Sequence, residues 1–87
     1  MNIQFPNIHA VDPITFGISF PADVDGKKIC CLVTIEALQD INPSRATDDA
    51  ETQFTMNKYK FQKIAEAKIK LGEMQKGNVI ITSVDVQ

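Results

Sequence analysis

Residues 48–74 form a block of 27 positions with no proline and a single glycine, Gly72, close to its end. A segment that long with so few breakers has one economical conformation, an amphipathic helix. The apolar spacing agrees: Ala50, Phe54, Phe61, Ile64, Ala65 and Leu71 share one broad face at about 100° per residue. Asp48 followed by Glu51 reads as a capping box, and Asp49 adds negative charge to the first turn, where the helix dipole favours it. Taken as residues 48–75, the helix would extend roughly 40 Å at about 1.5 Å per residue, against a diameter near ~30 Å for a domain of this size. It is therefore expected to overhang, bend or lie against a second subunit. Asn57 and Lys68 are polar intrusions in the core-facing stripe, while Met56, Tyr59, Ala67 and Met74 make a lesser apolar patch on the opposite side.

Ahead of the helix, Ile14, Phe16, Ile18 and Phe20 alternate with Thr15, Gly17 and Ser19, the period of a half-buried strand. A second strand is expected over residues 27–34. Between them Asp25-Gly26 is a type I′ hairpin signal, because both central residues of that turn need positive φ. Centring the turn there sets Val24 opposite Lys27, Asp23 opposite Lys28, Ala22 opposite Ile29, Phe20 opposite Cys31, Ile18 opposite Val33 and Phe16 opposite Ile35. One side of the ribbon is then apolar throughout, and the other carries Asp23 with Lys28, Ser19 with Leu32 and Gly17 with Thr34. Pro21 has no N–H to donate, so that end of the first strand is expected to be an unpaired edge.

Residues 35–41 read as a short helix capped by Thr34, with Ile35, Leu38 and Ile41 facing inward, and Asn42-Pro43 ends it. Residues 44–47 are a linker. Gly77-Asn78 turns the chain into a closing strand, residues 79–86, with Ile80, Val84 and Val86 as the inward side chains. The expected organisation is one domain, 1–87: an arm (1–12), a hairpin (14–34), a short helix (35–41), the long helix (48–75) and the closing strand (79–86). The fold class is α+β, a small, twisted, mainly antiparallel sheet in the order β-β-α-α-β packed on one long amphipathic helix.

A chain of 87 residues buries a small core with a thin stability margin, to which dimerisation is the simplest addition. The 44% hydrophobic and 23% charged content is that of a folded domain rather than a disordered one. No apolar run approaches the roughly 18 residues of a membrane span, and the start carries neither a basic leader nor a signal-length apolar stretch, so a cytoplasmic location is expected. Cys30 and Cys31 are neighbours that a strand would project to opposite faces, which prevents them from bridging each other or chelating one metal together. With His9 the sole histidine, no metal site and no cofactor is expected.

Charge is unevenly spread. Residues 1–57 hold three basic and eight acidic side chains, whereas residues 58–76 hold six lysines and two glutamates. Lys58, Lys63 and Lys70 are the candidate nucleic-acid contacts, since phosphate binding needs clustered positive charge. Against that reading, Lys63 and Lys70 share a face with Glu66 and Glu73, the lysines complement the helix dipole, and the pI is about 5.2. The candidate interface set is Asn57, Lys68, Met56, Tyr59 and Met74, with Lys68 otherwise extending its ammonium to solvent along its own methylenes. Both cysteines read as packing residues, His9 as an exposed arm residue beside Asp12, and the aspartates as turn and cap residues. No nucleophile, base and orienting group can be assembled, so the chain is expected not to be an enzyme.

Phe5-Pro6-Asn7, Gly26 followed by the apolar 29–33, Ile35-Glu36-Ala37-Leu38, Phe54 with Asn57, Phe61, Ile64, Ala65 and Lys68, and finally Gly77, Ile80 and Asp85 together resemble a family of short bacterial proteins catalogued as domain of unknown function 1488. The resemblance spans nearly the whole chain and implies no activity, cofactor or site residue. The function expected is a non-catalytic interaction or regulatory module, a homodimer or a binder of another protein. The alternative is a weak nucleic-acid-binding module.

Overall fold

The computed structural model describes residues 1–45 and 47–87; of the expected linker 44–47, Ala46 lies outside the described residues. In chain order the elements are β1 (Ile3–Gln4), β2 (Ala10–Val11), β3 (Ile18–Val24), β4 (Lys27–Val33), α1 (Ile35–Ile41), a 3-10 turn (Pro43–Arg45), α2 (Ala50–Lys70), β5 (Val79–Ile81) and α3 (Ser83–Val86). The class is α+β, with a mostly antiparallel open sheet and one long helix. β3 and β4 pair in the expected register, from Val24 with Lys27 to Ile18 with Val33. Asp25 at φ 52° and Gly26 at φ 85° supply the two left-handed residues of the turn.

The first strand starts later than its alternation implies. β3 begins at Ile18, and Ile14 and Phe16 stand in solvent at 84% and 62% exposure instead of lining the core. They belong to the tip of a β2–β3 hairpin, closed by Asp12 N–H to the Gly17 carbonyl and Phe16 N–H to the Asp12 carbonyl, each 2.8 Å. Phe16 occupies the left-handed position of this loop at φ 63°, a conformation that costs a residue with a Cβ about 1–2 kcal/mol and that glycine or asparagine normally fills. Gly17 follows because nothing larger fits: a Cβ there would lie 2.1 Å from the Val33 carbonyl oxygen.

The outer edge of β3 is not bare. β1 pairs with its end, Ile3 opposite Val24 and Gln4 opposite Asp23, and β2 with its start, Ala10 opposite Ser19 and Val11 opposite Ile18. The N-terminal arm thus returns along β3 and bulges away where Pro21 offers no donor. On the other side β5 lies parallel to β4, Leu32 opposite Ile80 and Val33 opposite Ile81. Because the Ile81 carbonyl accepts from Thr34 N–H at 3.0 Å, strand alternation turns the peptide groups of Ile80 to the open edge. Its neighbours are engaged: Asn78 exchanges two hydrogen bonds with Gln75, and Thr82 N–H donates to Asp85 Oδ2 at 2.8 Å.

The closing segment departs from expectation in parity and in kind. Val79 and Ile81 are the buried residues, Ile80 lies on the far face, and after Ile81 the chain enters α3, where Val84 is exposed. The helices cover one sheet face only. That face presents Ile18, Phe20, Ala22, Ile29, Cys31, Val33, Val79 and Ile81, against which pack Ala37 and Leu38 of α1 and Phe54, Phe61, Ala65 and Ile69 of α2. Phe54 stacks on Phe61 with ring centroids 5.8 Å apart and leans on Phe20 at 5.3 Å.

α2 is shorter than residues 48–75 and does not run straight. Its cap is Asp49, one residue beyond the expected Asp48, whose carboxylate accepts from Thr52 N–H at 2.7 Å. At Asn57 the backbone leaves helical geometry (φ −122°, ψ 18°), and the Asn57 amide donates to the Gln53 carbonyl at 2.9 Å. A side chain that inserts into the i to i−4 ladder bends a helix there, and at 21 residues, about 31 Å, α2 is shorter than the 36 Å long axis of the molecule. The far end is a Schellman turn: Gly72 at φ 74° donates to Ile69, and Glu73 donates to Lys68 at 2.9 Å. Stopping at Lys70 leaves Leu71 at 72% exposure, and Ile69 takes the core place assigned to it.

Candidate interaction surface

Three surfaces carry the residues that stand out in the sequence. The first lies where α2 meets the N-terminal arm. His9 is not a free arm residue and its partner is not Asp12: its ring sits 5.0 Å from Phe54, and Nε2 is 3.2 Å from Glu51 Oε1. Asp12 instead accepts from the Thr15 hydroxyl at 2.6 Å and the Thr15 N–H at 2.9 Å, bonds that hold its carboxyl below the usual carboxylate range. Lys58 donates to Asn7 Oδ1, so α2 holds the arm at the middle of its bulge and again at His9.

Each candidate nucleic-acid lysine therefore has an intrachain partner. Lys58 has Asn7, Lys70 reaches Glu66 at 3.6 Å, and the Lys63 ammonium lies 5.4 Å from the centre of the Tyr59 ring. Tyr59 and Met56 are exposed neighbours on this flank, and Phe5, Gln62, Lys63 and Glu66 complete a cleft of about 160 Å³ beside Tyr59.

The second surface surrounds Lys68. Its ammonium contacts Asp85 Oδ1 at 2.9 Å and stands 3.9 Å from Glu73, joining α2 to the cap of α3. Burial pushes the Asp85 carboxyl up, but the Thr82 N–H and the Lys68 ammonium together hold it below the ordinary 3.8. Lys68 is accordingly an internal strut that closes the fold. Asn57 is likewise spent on its own helix. Of the candidate interface set, Met56 and Tyr59 stay together, whereas Met74 lies off the helix and lines a separate cleft of about 260 Å³ with Lys68, Gln75 and Ile80.

The third surface, the sheet face turned away from the helices, was only partly legible in advance. Register places Ala10, Ser19, Leu32 and Ile80 in one row across β2, β3, β4 and β5, with Pro21 and Cys30 in the next row and Gln4, Asp23 and Lys28 in the last. Cys30 is exposed there, as its outward position implies, while burial pushes the thiol of Cys31 up to about 12. Ile8, Ala10, Ser19, Pro21 and Cys30 line a recess of about 190 Å³ where the arm bulges from β3. Among the described residues no three His, Cys, Asp or Glu side chains converge to hold a metal ion, and no helix is long and apolar enough to cross a membrane.

No curated protein matches the chain. Its fold is similar to the crystal structure, at 1.60 Å resolution, of a protein of unknown function from Shewanella loihica PV-4, with a TM-score of 0.81 and 21% identity over 93% of this chain and 94% of that one. That protein is assigned to the DUF1488 family. The model of the family described as "Protein of unknown function (DUF1488)" matches residues 3–81, from the first residue of β1 to the last of β5, and the chain belongs to that family.

Proposed function

We propose that the protein is a non-catalytic interaction module whose working form is a dimer of two copies joined through the open face of the sheet. One observation carries this reading: helices cover one face only, and the other carries half-buried Leu32, Ile80 and Pro21 with exposed Cys30 and Ala10 as an apolar centre, with Asp23 and Lys28 at its rim. An apolar centre with a charged margin is the anatomy of a protein–protein contact. The free thiols Cys30 and Cys31 suit the reducing conditions of the cytoplasm. Nucleic-acid binding is the weaker reading, because Lys58, Lys63 and Lys70 are all engaged within the chain.

Size sets the strength of such a dimer. The bare face spans roughly 14 Å across three strand spacings and about 23 Å along a seven-residue strand, a projected area of ~320 Å². Even doubled for side-chain relief, that is short of the roughly 800 Å² per partner in a standard interface. Sedimentation velocity from about 1 µM to about 1 mM tests the reading. The mass is expected to rise from one chain to two, and Leu32→Lys is expected to keep it at one. A wild-type protein that stays a single chain throughout refutes it.

A further inference from the structure

From the shape of the β2–β3 hairpin tip we infer that Ile14 and Phe16 are the anchor of this dimer, inserting into the recess between Ile8, Ala10, Pro21 and Cys30 of the second copy. The inference rests on the sheet-face reading and deepens it.

Two features of the tip stand out: exposed apolar surface, a cost that falls away once a partner covers it, and a strained backbone that is the same bound or free. Ile14 and Phe16 hold 84% and 62% of their surface in water. Phe16 is also held at φ 63°, where an aromatic side chain is out of place. The tip is nevertheless rigid. Asp12 gathers the Thr15 hydroxyl and N–H, Phe16 N–H closes on the Asp12 carbonyl, and Gly17 N–H donates to Thr15 Oγ1 at 3.2 Å. A rigid apolar projection loses little freedom on docking, which is the property of a binding anchor.

The same molecule carries a receptor of matching character. The recess, about 190 Å³, is largely apolar and sits about five residues from Phe16 along β3, or roughly 16 Å at strand rise. A two-fold axis through the Ser19–Leu32 row would set each tip over the recess of the other copy, which is the self-complementarity an isologous contact requires. Area favours the same arrangement. An aromatic side chain carries roughly 150–250 Å², so the exposed part of Phe16 adds on the order of 100–150 Å² per copy. Ile14 adds a comparable amount, which brings the face close to what a stable dimer needs.

Phe16→Asn tests this without endangering the fold, because asparagine accepts the left-handed conformation that phenylalanine resists. The dissociation constant by sedimentation is expected to rise at least about 30-fold, while the thermal midpoint of the monomer holds or increases. Phe16→Cys, oxidised with glutathione disulfide as electron acceptor, is expected to form a 16-to-30 disulfide between copies that Cys30→Ser abolishes. If Leu32→Lys abolishes the dimer and Phe16→Asn leaves its affinity unchanged, the anchor is refuted and the sheet-face dimer stands. Cross-linking only between two copies of position 16 also refutes the anchor. A single-chain mass at about 1 mM wild-type protein refutes both.

Discussion

Replacing Phe54 tests the packing that holds the fold together. Its ring is fully buried and meets three others: Phe61 at 5.8 Å, Phe20 at 5.3 Å and His9 at 5.0 Å. A buried Phe→Ala change costs about 3–5 kcal/mol, and the ring pairs at about 0.5–1.5 kcal/mol each put Phe54→Ala near the top of that range. The whole domain is worth on the order of 4–13 kcal/mol, so the alanine variant approaches the folding limit and Phe54→Leu, at about 1–2 kcal/mol, is the safer probe. Urea denaturation followed by circular dichroism should show a lower midpoint with an unchanged slope. Because His9 leans on the same ring, Phe54→Leu and His9→Ala should couple by about 0.5–1 kcal/mol in a double-mutant cycle. Independent effects, additive within about 0.3 kcal/mol, would refute the claim that the arm is seated on the aromatic cluster, and a cost for Phe54→Ala below about 1.5 kcal/mol would refute its central place.

Two further outcomes follow from single contacts. Gly17→Ala should destabilise by about 2 kcal/mol or more in the same urea assay, because the new Cβ meets a backbone carbonyl rather than a movable side chain; an unchanged midpoint would show that β3 can slide. Asp85 has a folded pKa below the ordinary 3.8, so the stability it lends is fully present above about pH 4 and is lost as the pH falls through the lower folded value. The stability gap between wild type and Asp85→Asn, measured from pH 7 down to about pH 2.5, should therefore be constant down to about pH 4 and close below it; a gap that closes instead near neutrality would assign the linkage to another group.

The parts of the fold legible in the sequence are those on which two local signals agree. The β3–β4 register follows from turn chemistry and alternation together, and Thr34 caps α1 as its position implies, accepting from Ala37 N–H at 3.2 Å. Where one signal stood alone, tertiary context overrode it. Alternation ran on through Ile14 and Phe16, and nothing local marks Phe16 as left-handed, since a bulky residue is the wrong one for that position. Other misses had readable signals. Gly72 is the C′ residue that follows a C-cap at Leu71, and Thr82 with Asp85 three residues later is a capping pattern within the expected closing strand. Asn57 competes for its own i−4 carbonyl, as asparagine does in helix interiors. The candidate surfaces were less legible, because the partners of Lys58 and Lys68 lie 51 and 17 residues away along the chain.

The rim of the sheet at β5 has a consequence for crowding. A lone unclaimed peptide unit, that of Ile80, offers one rung where an incoming strand needs several to find a register, and the hairpin before it and the cap after it block both directions of extension. Molecules meeting side by side along β5 find no ladder to extend. Growth through this rim is closed, whereas the face-to-face contact proposed above, being two-fold, would stop at a pair.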